Sequence, residues 1–340
     1  MEFNLEKMLR PHLKSALVYT NTRPTESSDG LIYLDSNESP VGKYNRYPDG
    51  EQKALKGKLA AINGVSADRL FMGNGSDELI DLLMRIFCEP GSDTIMCLDP
   101  SFSMYEVYAD FNNLKIEKLR LNGSFQLDKE VFDQCVSETS AKILFICSPN
   151  NPTGNSIEDL AYFISKFEGL VVIDEAYIEF SPNDSATKLL VQFPNLVVLK
   201  TLSKAHGMAG LRLGVGFASP EIARLITRLK PPYNISSESQ RIAAEELDDG
   251  MKFNKNVGLI LSEKAKLVDA LEQIRAVKKV YASHANFLLV EFADADEVYR
   301  ILIKNQILTS LRHPGIPNCI RITVGNPEEN LKLISILTKI

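Results

Sequence analysis

Leu170-Val171-Val172-Ile173-Asp174 sets four apolar residues, three of them β-branched, directly before a carboxylate, and Glu175-Ala176-Tyr177 follow. A run with no polar residue to turn toward water reads as a strand covered on both faces. The same pattern recurs at 94–98, 142–147, 195–199 and 213–218. Stretches of helical composition or spacing lie around and between these runs, at 51–63, 77–88, 104–111 and 157–167, with Ser76 placed to cap the second. Apolar strands alternating with helices predict a largely parallel α/β sheet with helices on both faces.

The pattern changes after Pro231-Pro232. A helix-rich stretch runs to about 274, and 285–292, 295–304, 319–324 and 327–340 read as a small α+β unit. The expected division is a large unit over 45–235 and a smaller one built from 1–44 and 236–340. A chain of 340 residues has the length for both. Its net charge of −6 argues against nucleic acid or an anionic membrane as a partner, and no apolar run reaches membrane length. Five cysteines with no paired spacing, behind an N-terminus without an apolar leader pattern, point to reduced thiols and a cytoplasmic location.

Parallel sheets bind ligands at the C-terminal ends of their strands. Asp174 sits at such an end, and a buried carboxylate there needs a partner: a protonated ring nitrogen, or a helix cap or salt bridge. Lys204 lies in Thr201-Leu202-Ser203-Lys204-Ala205-His206, with Arg212 eight residues on in Gly210-Leu211-Arg212-Leu213-Gly214. A lysine amine that can shed its proton forms an imine with an aldehyde. An arginine and nearby hydroxyls can hold a phosphate. An aldehyde and a phosphate on one small molecule describe pyridoxal 5′-phosphate, although a solvated lysine and a salt-bridged arginine would also fit these residues alone. Gly73-Asn74-Gly75-Ser76-Asp77-Glu78 opens a helix whose free N–H groups suit the same phosphate. Phe102, in Asp99-Pro100-Ser101-Phe102, could stack on a flat ring. Asn151, in Ser148-Pro149-Asn150-Asn151-Pro152-Thr153-Gly154, and Tyr177 could reach its phenolic oxygen. Arg312 and Arg321 could clamp an anionic substrate.

In their order these segments resemble the histidinol-phosphate aminotransferase family of the fold-type I, pyridoxal phosphate-dependent aminotransferases. Leu34-Asp35-Ser36-Asn37-Glu38-Ser39-Pro40, Arg46-Tyr47-Pro48 and the strand Arg321-Ile322-Thr323-Val324-Gly325 complete the set. The resemblance implies a seven-stranded, mostly parallel sheet in the large unit and a small substrate-closing unit. It implies transfer of an amine from L-histidinol phosphate to 2-oxoglutarate, giving imidazole acetol phosphate and glutamate, in histidine biosynthesis. Lys204 would form the cofactor imine, Asp174 would pair with the ring nitrogen, and Tyr177 and Asn151 would bind the phenolic oxygen. Ser76, Asp77, Ser203 and Arg212 would surround the phosphate, the first two largely through backbone N–H, and Gly75, Thr201, Phe102 and Tyr47 would also bind the cofactor. Tyr47 would reach into a neighbouring subunit, making the working unit a homodimer with shared sites. Arg321, Arg312, Asn37, His12 and Tyr47 would face the substrate, a small amino donor or 2-oxo acid. Departures from the family pattern fall mainly on that side: Pro11-His12 where Pro-Tyr is frequent, Ser39 for asparagine, and His313-Pro314-Gly315 for a polar pair. Phe102 stands where tyrosine is more usual. The rivals are an aromatic amino-acid aminotransferase, a threonine-phosphate decarboxylase, and a cofactor-binding regulator without turnover.

Overall fold

The computed structural model describes residues 3–16 and 31–340. Strands β1 (Leu70–Asn74), β2 (Thr94–Asp99), β3 (Lys115–Arg120), β4 (Ala141–Cys147), β5 (Leu170–Asp174), β6 (Leu196–Thr201) and β7 (Leu213–Phe217) form a seven-stranded sheet in the order β1-β7-β6-β5-β4-β2-β3. From β3 to β6 all pairings are parallel. Strand β7 runs antiparallel to both its neighbours, β6 and β1. Four more strands, β8 (Val277–Val280), β9 (Phe287–Phe292), β10 (Ser310–Leu311) and β11 (Cys319–Thr323), make an antiparallel sheet in the order β10-β11-β9-β8. The α-helices are α1 (Leu5–Met8), α2 (Lys53–Asn63), α3 (Ser76–Phe87), α4 (Met104–Phe111), α5 (Lys129–Glu138), α6 (Leu160–Lys166), α7 (Pro220–Leu229), α8 (Ser237–Glu246), α9 (Gly250–Glu272), α10 (Ala295–Lys304) and α11 (Pro327–Leu337).

Helices cover both faces of the large sheet. One face carries a core with Phe132, Phe163 and Leu55, the other a core with Leu79, Leu83 and Phe87. The buried residues of α3 follow helical spacing, which is why its sequence pattern is so clear. The edge strand β3 carries the opposite signature. Only Leu119 is buried and Lys115, Glu117, Lys118 and Arg120 are charged, so it does not read as a buried strand in the sequence.

Two parts of the expected division differ. Residues 3–16 pack on the large unit: Leu9 is buried in the core with Phe71 and Phe87, and Arg10 donates to the Arg85 carbonyl at 2.9 Å. Leu5, Leu9 and Leu13 give this segment an apolar side that packs against that core. Helix α8 also belongs with the large unit, through Ala243 in the first core. The small unit therefore begins with α9, which packs on β8 and α11. A separate cluster containing Tyr177, Phe180, Ala205, Val257 and Phe287 fills the seam between the two units. Among the described residues, no helix is long and apolar enough to cross a membrane.

Candidate active site

Strands β4, β5 and β6 deliver their last residues to one end of the sheet, and a cavity of about 290 Å3 lies there. That is near the lower end of the ~300–1,000 Å3 usual for small-molecule sites. The large unit supplies Asp174, Tyr177, Asn151, Phe102 and Lys204, while Arg312 and Arg321 reach in from the small unit.

Asp174 is only 3% exposed. It accepts from the Tyr105 hydroxyl at 2.9 Å and from the Ala176 N–H at 3.1 Å. No cation among the described residues comes within ion-pair distance of it. Burial pushes its pKa up to about 6 against the pull of those two hydrogen bonds. This carboxylate is hydrogen-bonded but has no positive charge to face, which is the condition a protonated ring nitrogen would meet.

Lys204 projects into the open space of the cavity, 5.7 Å from the centre of the Tyr177 ring. Its amine makes no hydrogen bond or ion pair with the described residues, while its carbonyl accepts from the Gly207 N–H at 3.0 Å. Desolvation, and then the charge of Arg321, lower its pKa below the ordinary lysine value. A lysine in that state has a larger share of the neutral, nucleophilic amine.

The helix start at α3 forms a further wall. Gly75, at φ +82°, is the residue before the helix, and Ser76 is its first residue rather than its cap. No side chain caps this end, so its N–H groups remain available. A Cβ on Gly75 would lie 2.5 Å from Arg212 Nη2, and one on Gly214 would lie 2.4 Å from the Ser76 nitrogen. These two glycines let β7 and Arg212 close on the helix start. Arg212 itself holds a left-handed φ of +55° and faces Asp77 at 3.4 Å. The Thr201 hydroxyl bonds Ser203 Oγ at 3.0 Å and accepts from the Ser203 N–H at 3.1 Å, which fixes the turn leading to Lys204.

Opposite lies a polar chain. Asn151 Nδ2 donates to the Tyr177 hydroxyl at 3.4 Å, and Arg321 Nη1 donates to Asn151 Oδ1. Burial raises the Tyr177 pKa and lowers that of Arg321. Arg321 also lies over the Phe287 ring, 5.4 Å from its centre. Arg312 donates to Ser310 Oγ at 2.6 Å, while its buried Nε has no partner among the described residues. A charge-bearing guanidinium with an unused donor suits an anionic ligand.

These groups fit pyridoxal phosphate: a carboxylate for the ring nitrogen, an amide and a phenol for the phenolic oxygen, an amine for the aldehyde, and a helix start with an arginine for the phosphate. Residues 35–337 match the sequence profile of the family described as aminotransferase class I and II.

The chain belongs to the class I and II aminotransferases.

A histidinol-phosphate aminotransferase of Parabacteroides distasonis is 44% identical to this aminotransferase over 98% of this chain and 97% of its own length. One from Flavobacterium psychrophilum is 42% identical, over 98% of each. That identity and span place the chain in the histidinol-phosphate aminotransferase family. The fold matches the crystal structure of a histidinol-phosphate aminotransferase from Sinorhizobium meliloti in complex with pyridoxal-5′-phosphate, at a TM-score of 0.80 and 22% identity, over 86% of this chain and 82% of that one. It also matches the one from Clostridium acetobutylicum, at a TM-score of 0.79 and 24% identity, over 87% and 90% of the two chains.

Of the expected site residues, three lie elsewhere in the aminotransferase chain. Tyr47 and Asn37 line an adjoining, more open cavity, where Tyr47 stacks on Tyr233 at 4.6 Å. Arg212 lines both cavities. His12 sits at the opposite end of α3 from Ser76, with its Nδ1 4.0 Å from Glu89 Oε2. The anchoring of Leu9 and Arg10 holds it there, apart from the cavity that Lys204 lines. Conversely, Tyr105 was not singled out in the sequence. Its stacking on Phe145 at 4.9 Å and its bond to Asp174 join distant segments, and in the sequence it is simply an aromatic on an amphipathic helix.

Proposed function

We propose that this chain is a pyridoxal phosphate-dependent histidinol-phosphate aminotransferase, exchanging an amine between L-histidinol phosphate and 2-oxoglutarate. The observation that carries the chemistry is the unpaired, buried Asp174 in one cavity with an amine of lowered pKa at Lys204. The relatives' shared name carries the substrate.

Bound pyridoxal phosphate supplies an aldehyde for amine exchange and a ring that accepts the electron pair left on the substrate's α-carbon. Asp174 holds the proton on the ring nitrogen, and Tyr105 and the Ala176 N–H keep that carboxylate oriented. Tyr177 and Asn151 fix the phenolic oxygen. The α3 start, Ser203 and Arg212 would hold the phosphate, with Gly75, Ser76, Asp77 and Thr201 shaping that wall, and Phe102 is placed to stack on the ring. Lys204 would form the imine with that aldehyde and, when free, would be the general base that moves the proton between the substrate's α-carbon and the carbon that bore the aldehyde. Arg321 and Arg312 bind the phosphate of one substrate and a carboxylate of the other in turn.

The working unit on this reading is a cytoplasmic homodimer. Ile32, Leu34 and Val41 are 82%, 90% and 76% exposed, beside the open cavity holding Asn37 and Tyr47. Apolar residues crowded on one segment mark a face that a second copy would cover. Tyr47 and Asn37 would then complete the partner's site. The large unit on this reading holds the cofactor, and the small unit closes over substrate. Five free thiols accord with a reducing compartment.

Steady-state kinetics on histidinol phosphate, phenylalanine and phosphothreonine, with and without 2-oxoglutarate, tests the reading. Turnover should require histidinol phosphate and the 2-oxo acid together. Turnover of phosphothreonine without a 2-oxo acid would make the protein a decarboxylase. Borohydride reduction followed by peptide mapping should place the cofactor on Lys204, and a label on another lysine would refute its role.

A further inference from the structure

A second cavity, also about 290 Å3, lies behind the Lys204 loop, between α2, β6 and the turn joining α8 to α9. Of the residues lining it, only Thr201 also lines the active-site cavity. Ile62, Phe217 and Phe253 give it apolar walls. The His206 ring stacks on Phe253 with centres 4.4 Å apart and planes 26° from parallel. Burial, and then the charge of Lys200, push the His206 pKa down to about 4, so at neutral pH the pair presents an uncharged π surface.

Glu179 lines the same space. No other residue among those described bonds to its carboxylate. Other charges facing the cavity are already engaged. Lys200 lies 3.8 Å from Glu175 and bonds Asn63 at 2.9 Å. Glu246 is paired with Lys252 at 2.7 Å, and Asp249 caps α9 through the Lys252 N–H at 2.9 Å. Burial raises the Glu179 pKa to about 7, with Glu175 adding to the rise and Lys200 opposing it. The cavity therefore combines a carboxylate that no other described residue bonds with a stacked aromatic wall, the combination that receives a flat cation.

We propose that this cavity binds a small planar organic cation, its charge set against Glu179 and its face against the His206–Phe253 pair. N-methylpyridinium is a suitable probe, because it carries a permanent charge and has no N–H to react with an aldehyde. Toluene is its neutral counterpart in shape. Calorimetric titration of the holoenzyme should show saturable binding of N-methylpyridinium, with affinity rising about tenfold from pH 6 to pH 8 as Glu179 ionises. Toluene should show no such rise. Glu179→Gln should reduce cation affinity at pH 8 at least tenfold, flatten its pH profile and leave toluene unaffected. Because Glu175, Lys200, Glu246, Asp249 and Lys252 stay in place in that variant, the difference isolates Glu179. Phe253→Ala should weaken both probes. Absence of saturable cation binding at pH 8 overturns the proposal, and so does equal affinity in Glu179→Gln. If that variant fails to fold, a flat pH profile in the unaltered enzyme overturns it instead.

Discussion

Two side chains show how local surroundings shape chemistry and stability in this aminotransferase. The folded-state pKa of Asp174, about 6, lies above the ordinary 3.8. Between those values the native state holds a proton that the unfolded state has released. Stability is therefore lost as pH rises from 3.8 to 6, and the loss is complete above that. In cofactor-free protein, Asp174→Asn should raise stability at pH 8 by on the order of 1–3 kcal/mol, and the gain should shrink as pH falls toward 4. Urea unfolding across that range measures it, and no gain at pH 8 would mean that Asp174 is not an unpaired charge. With cofactor bound, the same substitution should cut turnover far more than substrate affinity, because the lost interaction strengthens as charge enters the ring. Arg321 makes a different case. A lysine keeps its charge but loses the planar fork. Arg321→Lys should weaken histidinol phosphate and glutamate by about 1.5–3 kcal/mol each and spare the cofactor's absorbance. Stopped-flow measurement of both half-reactions checks this, and unchanged affinity for both would reduce Arg321 to a strand residue.

Among the elements, β7 and α3 depend on each other. Strand β7 contributes Gly214, whose missing side chain leaves room for the backbone of Gly75 and Ser76. Gly214→Ala should cost about 1–3 kcal/mol or more through overpacking, and cofactor affinity should fall with it as the helix start is pushed off Arg212. Gly123→Ala, where a Cβ would have nothing within 4 Å, is the matched control. Equilibrium unfolding and pyridoxal phosphate titration of both variants decide whether the approach matters. Elements with buried strands or amphipathic faces were legible from sequence, β5 and α3 above all. Strand β3 was not, because an edge strand keeps its charges, and α5 was not, because it buries only Phe132. The antiparallel direction of β7 also left no local trace. Strand direction is set by the connection, and the short passage through Ala209–Leu211 is a tertiary feature.

At the scale of the molecule, residues 3–16 and α8 pack on the cores of the large sheet, a placement hard to read in sequence because an apolar face does not say which surface it covers. The motif segments led to the cavity through strand ends. The Tyr105–Asp174 and Arg321–Asn151 contacts depend on packing between segments far apart in the chain and escaped that reading. The shared site of the proposed dimer is open to test by mixing two weak variants, Lys204→Ala and Tyr47→Ala. Hybrid dimers should recover activity at one site with both groups intact, and no recovery despite demonstrated subunit exchange would count against sharing. The order of strands has a further consequence during synthesis. Strand β1 lies at the edge of the sheet and pairs only with β7, Leu70 against Phe217. On a ribosome adding ~5–20 residues per second, those partners emerge roughly 7–30 s apart. For that time the apolar residues of β1 and α3 have no finished sheet to cover them. Nascent chains halted before residue 213 leaves the ribosome should be cleaved by protease within 70–87, and longer ones should resist; protection in the short chains would show that this segment finds another shelter first. The wall of α3 and β7 proposed to hold the phosphate is thus the last part of the large sheet to close, although its helix is among the first parts made.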